Sequence, residues 1–130
     1  EDKMVDVVNK AFEAARKAQE AAYSGKMTVY EHKKVKDEKT HLTAFNDVAV
    51  LKDIPCKLSF QSKQAAADTA AAMAVSQTIK LFMAPDININ PGSKITVTQN
   101  GVTKDYTYSG VPAVYVTHQE IVLELFERWA

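Results

Sequence analysis

Three histidines, one cysteine and a scatter of aspartates are the residues of this chain that could do metal, nucleophilic or acid–base chemistry, and their spacing keeps them apart. His32, His41 and His118 fall in different segments, with no interval that suggests a shared metal ion. Cys56 cannot form an intrachain disulfide, and it alternates with Leu58 and Phe60 on an apolar face, so a buried, reduced, structural thiol is expected. Asp86 and Asp105 lie near turns, where carboxylates usually bond local backbone amides. There is no glycine-rich phosphate loop, no nucleophile elbow and no Cys or His cluster, and only four glycines are present. A hydrolase or dehydrogenase of this length normally shows some such signature. The expectation is a protein that is not an enzyme and uses no cofactor and no metal.

Composition narrows the choice further. At 130 residues and 46% apolar, the chain is sized for one domain with a core that needs no staples. Sixteen Lys and Arg balance sixteen Asp and Glu. A protein gripping nucleic acid over a wide face is usually more basic, because that affinity comes from neutralising phosphates. No long apolar run and no charged-then-apolar leader points to a membrane or to secretion. The chain opens at Glu1 rather than methionine, so a few preceding residues are expected.

The elements that must carry these residues are mostly short strands. Thr78-Ile-Lys-Leu-Phe-Met83 is β-rich, Pro85 to Gly92 is a loop, and Lys94 to Gln99 alternates apolar with polar residues. Asn100-Gly101 suits a two-residue type I′ turn, since both central residues need positive φ, so Val102 to Tyr108 should fold back on the preceding strand. If Gln99 faces Val102, then Val97 faces Lys104 and Ile95 faces Tyr106. Ile95, Val97, Tyr106 and the stem of Lys104 then share one face, and Thr96, Thr98, Thr103 and Thr107 the other, as in a half-buried antiparallel sheet.

Upstream, Lys26 to Val35 sets Met27 and Val29 against Thr28, Tyr30 and His32 and runs into the charged Lys33 to His41, expected as a solvated hairpin tip or loop. Leu42 to Leu51 resumes as strand, Asp53-Ile-Pro55 is expected to break it, and Cys56 to Gln61 forms another with one buried face. Downstream, Ser109-Gly110 turns the chain into another strand over Val111 to Val116, where Pro112 favours an edge or a strand start. Glu120 to Glu127 alternates like a strand, with a helix as the competing assignment, and Trp129 is placed to cover an end of the core. These readings make a mainly β domain over 26–130, a small antiparallel barrel or sandwich of about seven or eight strands, preceded by one amphipathic helix over 1–25.

That helix repeats Met4, Val8, Ala11, Ala15 and Ala18 at spacings of four and three, with Lys and Glu on the other face and Gly25 as its C-terminal stop. Alanine buries little area, so the helix either packs weakly across its own β-domain or docks its Met4, Val8, Ala11, Ala15 and Ala18 face on a neighbouring subunit. Between Ser62 and Ser76 the alanine-rich run has nothing to anchor it. It is expected to be a floppy or partly helical loop, or a segment ordered only in an assembly.

The order of segments resembles the small head-tail joining, or head-closure, proteins of tailed bacteriophages and prophages, also called minor capsid proteins. The resemblance rests on Lys26-Met-Thr-Val-Tyr-Glu31, Ile54-Pro-Cys-Lys-Leu-Ser-Phe60, Ile79-Lys-Leu-Phe82, Pro91-Gly-Ser-Lys-Ile-Thr-Val97 and Tyr108-Ser-Gly-Val-Pro-Ala113, and covers roughly residues 26 to 125. The N-terminal helix departs from it. It implies a β-barrel subunit of a homo-oligomeric ring at the virion neck, made in the bacterial host cytoplasm. Its partners are then a portal-side connector and tail proteins, with packaged DNA close by and no membrane. It also implies a loop projecting into the central channel, for which Gln61, Lys63, Asp68, Met73 and Gln77 mark the candidate segment. Two other readings stand beside it. One is a tail-terminator or tail-completion protein; the other is an OB-like nucleic-acid-binding module using Tyr30, Tyr106, Tyr108 and Tyr115 with Lys80 and Lys104.

Overall fold

The computed structural model describes residues 2–64 and 75–129. A helix, α1 (Asp2–Ala21), precedes β1 (Gly25–Lys36), β2 (Thr43–Gln64), β3 (Val75–Met83), β4 (Lys94–Gln99), β5 (Val102–Thr107), β6 (Ala113–Val114) and β7 (Gln119–Leu125). The seven strands pair antiparallel in the order β3-β2-β1-β4-β5-β7-β6, and β3 also pairs with β7 through Ile79↔Leu123 to Met83↔Gln119. That extra pairing closes the ladder into a small barrel, so β3 and β7 satisfy each other instead of presenting free edges. The chain is therefore mainly β with one helix in front, as its alternation indicated.

The β4–β5 hairpin has the register read from Asn-Gly: Gln99↔Val102, Val97↔Lys104 and Ile95↔Tyr106. Asn100 and Gly101 both take positive φ, 53° and 76°, as a type I′ turn requires. Alternate residues of each strand point inward and make the core. Met27 and Val29 come from β1, Cys56 and Leu58 from β2, Leu81 and Met83 from β3, Ile95 and Val97 from β4, Tyr106 from β5, and Ile121 and Leu123 from β7. Cutting one fully enclosed side chain such as Leu81 to alanine costs about 2–5 kcal/mol through lost transfer energy and the cavity left behind.

Several sequence expectations change in three dimensions. Asp53-Ile-Pro55 does not break the chain into two strands. Register shifts around Val29 form a bulge opposite Asp53, whose φ is 50°, and β2 continues through it. The strand turns a corner there: it pairs with β1 as far as Cys56 and with β3 from Lys57 onward. The charged Lys33 to Lys36 is strand, paired as far as Lys36↔Thr43, so the hairpin tip is only residues 37–42. Charge does not oppose a strand whose two faces are both solvated. Of Val111 to Val116, only Ala113–Val114 forms a ladder. Gly25 begins β1 and is not a helix stop; a Cβ there would lie 3.0 Å from the Cys56 carbonyl and 3.0 Å from Gln99 Oε1. Small size, and not an unusual φ, is what the site requires.

Two side chains replace missing strand partners. Where β1 begins at Gly25 and no longer covers β2, Gln99 Oε1 accepts from the Leu58 amide at 2.8 Å and its Nε2 donates to the Leu58 carbonyl at 3.2 Å. At the β3–β4 loop, the buried Gln119 Nε2 donates to the carbonyls of Ala84 at 2.8 Å and Ile87 at 2.5 Å. The Tyr108 hydroxyl donates to the Ile89 carbonyl. Having no ladder of its own, the loop is tied to the barrel by these side chains and by the Gly92 amide, which donates to the Tyr108 carbonyl at 3.0 Å.

Candidate functional site

Among the described residues, no three His, Cys, Asp or Glu side chains converge into a set that could hold a metal ion. Cys56 is wholly buried, and burial pushes its thiol up to about 12, far from the thiolate form a nucleophile needs. What the surface offers instead is three projections from a closed barrel: α1, the β1–β2 hairpin and the β2–β3 arm.

The expectation that α1 packs across its own barrel is not met. Met4 is 75% exposed, Val7 66%, Val5 58%, and Val8 and Phe12 45% each. Ala11, Ala15 and Ala18, on the same stripe, are exposed too. Contact with the barrel is made near the helix C-terminus. Arg16 donates to Glu20 at 3.1 Å and to Asp86 of the β3–β4 loop at 2.6 Å. Gln19, Ala22 and Tyr23 border a shallow hollow of about 220 Å³ with Lys57, Ser59 and Phe82. The hydrogen bond from Arg16 holds the Asp86 carboxyl below its ordinary range. Helix propensity and amphipathic spacing predict a helix but cannot say against which surface it lies. An alanine-rich stripe offers its own barrel little area to bury.

The β1–β2 hairpin is held at its flank by the chain's C-terminal segment. His32 stacks between Phe45 and Trp129, with ring centroids 4.8 and 4.9 Å away. Phe126 meets Trp129 edge-on at 5.0 Å. Lys94 Nζ lies 5.0 Å from the Tyr30 ring centre and 3.1 Å from Asp47 Oδ2. The hydrogen bond from Lys94 lowers the Asp47 carboxyl, with His32 3.4 Å from its other oxygen. Trp129 therefore covers the side of the hairpin and not an end of the core. Beyond this clasp Val35 and Leu42 remain exposed, and Phe45 keeps its outer face open. His41 sits in the tip, and His118 stacks on Tyr115 at 4.8 Å near Glu120, so the histidines stay apart.

The candidate channel loop is shorter than its expected limits. Gln61 and Gln77 are exposed strand residues, paired as Gln61↔Thr78 and Ser62↔Gln77, and the arm extends to Gln64↔Val75. Lys63 lies on β2, while Asp68 and Met73 lie outside the described residues. Strand pairing carried the ladder past the point where side-chain alternation stopped. At the base of this arm Leu58, Phe60, Val97, Val102 and Tyr106 line an apolar hollow of about 190 Å³. The aromatic set for a nucleic-acid face is not assembled, because Tyr106 and Tyr108 are in the core at 2% and 3% exposure. Stacking on bases needs open rings.

Fold and surface together define a closed antiparallel barrel with projecting arms and a largely free amphipathic helix. No protein-family model matches the chain, and none of the curated proteins compared with it does. Among solved structures it is similar to the phage-like element PBSX protein xkdH from Bacillus subtilis, at 14% identity and a TM-score of 0.45, over 77% of this chain and 91% of that one. Among the described residues no helix is long and apolar enough to cross a membrane.

Proposed function

We propose that this chain is a structural virion protein that forms a ring at the neck of a tailed phage, joining the DNA-filled head to the tail and helping to close the channel. The observation that carries the reading is the helix: a long apolar stripe is held off the barrel and exposed from Met4 through Phe12. Solvated apolar faces of this extent suit a protein that completes its burial against neighbours. The phrasing of the strands from Lys26 to Leu125 adds the neck as the place, by its resemblance to head-closure proteins. In this reading the protein is not an enzyme. Its partners are copies of itself, a portal-side connector and tail proteins. The β2–β3 arm is directed toward the channel, and the sequence between its two strands, with Asp68 its one charge, lets DNA slide where a lysine lining would grip it.

The test is assembly with purified portal-side connector, imaged by electron microscopy. The reading expects rings of this chain stacked on the connector, with the arm turned inward. A chain that never associates with the connector, or a ring whose arm points outward, contradicts the neck role or the channel role respectively. A gel shift that weakens steeply with salt would instead favour nucleic-acid binding.

A further inference from the structure

At the base of the β2–β3 arm, strand positions that belong to the core face are left open to solvent. Phe60 follows Leu58 on the inner side of β2, and Val102 and Lys104 precede Tyr106 on the inner side of β5. Phe60 and Val102 are nevertheless 51% and 55% exposed, and Lys104 is exposed with them. With Leu58, Val97 and Tyr106 they border the apolar hollow of about 190 Å³. Gln99, on the same face of β4, has its amide engaged at both ends by Leu58. Lys104 has no such tie. Among the described residues it forms no ion pair, not even with Glu127, which would face it if the β5–β7 register ran two residues further. An open, unpaired cation set beside apolar walls suits an anion that brings its own apolar body.

Size narrows that body. An apolar cavity of about 150 Å³ takes a benzene ring, whereas pockets for drug-sized ligands and cofactors begin near 300 Å³. The hollow therefore holds one ring or one branched aliphatic group. Covering such a group gains about 10- to 100-fold in affinity, and an exposed ion pair at most ~5-fold more. A free carboxylate of this size would leave at anything below millimolar concentration. A polypeptide held elsewhere along its length presents the same two groups at a high effective concentration, so the modest gain becomes useful.

We propose that this hollow is an anchor point for a partner polypeptide, which inserts one large apolar side chain and pairs a neighbouring carboxylate with Lys104. The site does not depend on ring formation. Methyl NMR of the full chain tests it with three capped peptides, Ala-Glu-Phe-Ala, Ala-Lys-Phe-Ala and Ala-Glu-Ala-Ala. The first should shift the methyls of Leu58, Val97 and Val102 at millimolar concentration. It should bind about 3- to 10-fold more tightly than the second at low salt, the margin shrinking as salt is added, and about 10- to 100-fold more tightly than the third. Lys104→Glu should reverse the preference between the first two and leave the melting temperature unchanged, since Lys104 is exposed and forms no ion pair. The peptide comparison is made on the unaltered chain, so it stands whatever the variant does. Absence of methyl shifts, or equal affinity for the glutamyl and lysyl peptides, overturns the proposal. Benzoate saturating these methyls at lower concentration than the first peptide overturns the polypeptide assignment, and the same shifts on concentrating the chain alone overturn it by placing a second copy there.

Discussion

Replacing Gln119 by leucine keeps nearly the same volume and removes the amide that donates two of the hydrogen bonds tying the β3–β4 loop to the barrel. Gln119 is 3% exposed, and its Nε2 reaches the Ala84 and Ile87 carbonyls at 2.8 and 2.5 Å. Each neutral hydrogen bond contributes about 1 kcal/mol net, and a carbonyl left buried without a donor costs about 1–3 kcal/mol. Gln119→Leu should therefore destabilise the fold by about 2–4 kcal/mol, or roughly 8–16 °C in melting temperature for a domain of this size. Thermal denaturation followed by circular dichroism at 218 nm measures the loss, with Glu124→Gln, an exposed change on the same strand, as control. Hydrogen exchange should show the increase in opening concentrated at residues 84–93 and at the Arg16 end of α1, because Asp86 on that loop holds the helix. A fall in melting temperature below about 2 °C would refute the assignment of Gln119 as the tie.

Gly25→Ala should cost about 1–3 kcal/mol by pushing apart the Cys56 carbonyl and the Gln99 side chain, each 3.0 Å from the new methyl; an unchanged urea midpoint counts against that close fit. The Arg16–Asp86 bond should loosen in acid. Asp86 titrates below its ordinary 3.8, so its contribution is present above that value and lost as pH falls through the lower folded value. A donor–acceptor pair on Lys10 and Asp105 should report the helix moving only below about pH 4, and Arg16→Gln should remove the pH dependence. The lone Trp129 reports the hairpin clasp. Phe45→Ala should leave His32 stacked on one face only, shift Trp129 emission to the red and raise amide exchange in residues 31–36. No spectral change contradicts the stack.

Much of the barrel is legible in one dimension because its strands alternate. Inward positions such as Ile95, Val97 and Tyr106 recur every second residue, and Asn100-Gly101 fixes how β4 and β5 meet, since few residues tolerate positive φ. Local chemistry also sets the helix, its apolar stripe and the burial of Cys56. The exposed face of α1 is only half visible in the sequence: the stripe from Met4 to Ala18 can be named, but not whether its own barrel covers it.

Contacts between distant segments decided the rest. Closure of β3 on β7, the corner of β2 at Asp53, the Gln99 and Gln119 ties and the stacking of Trp129 on His32 each join residues far apart in the chain. Periodicity specifies which face of an element seeks burial; the partner it finds is chosen by competition among all surfaces brought together when the barrel closes. That competition left α1 outside, because its alanines and small aliphatic side chains offered the barrel less burial than the strands offered one another.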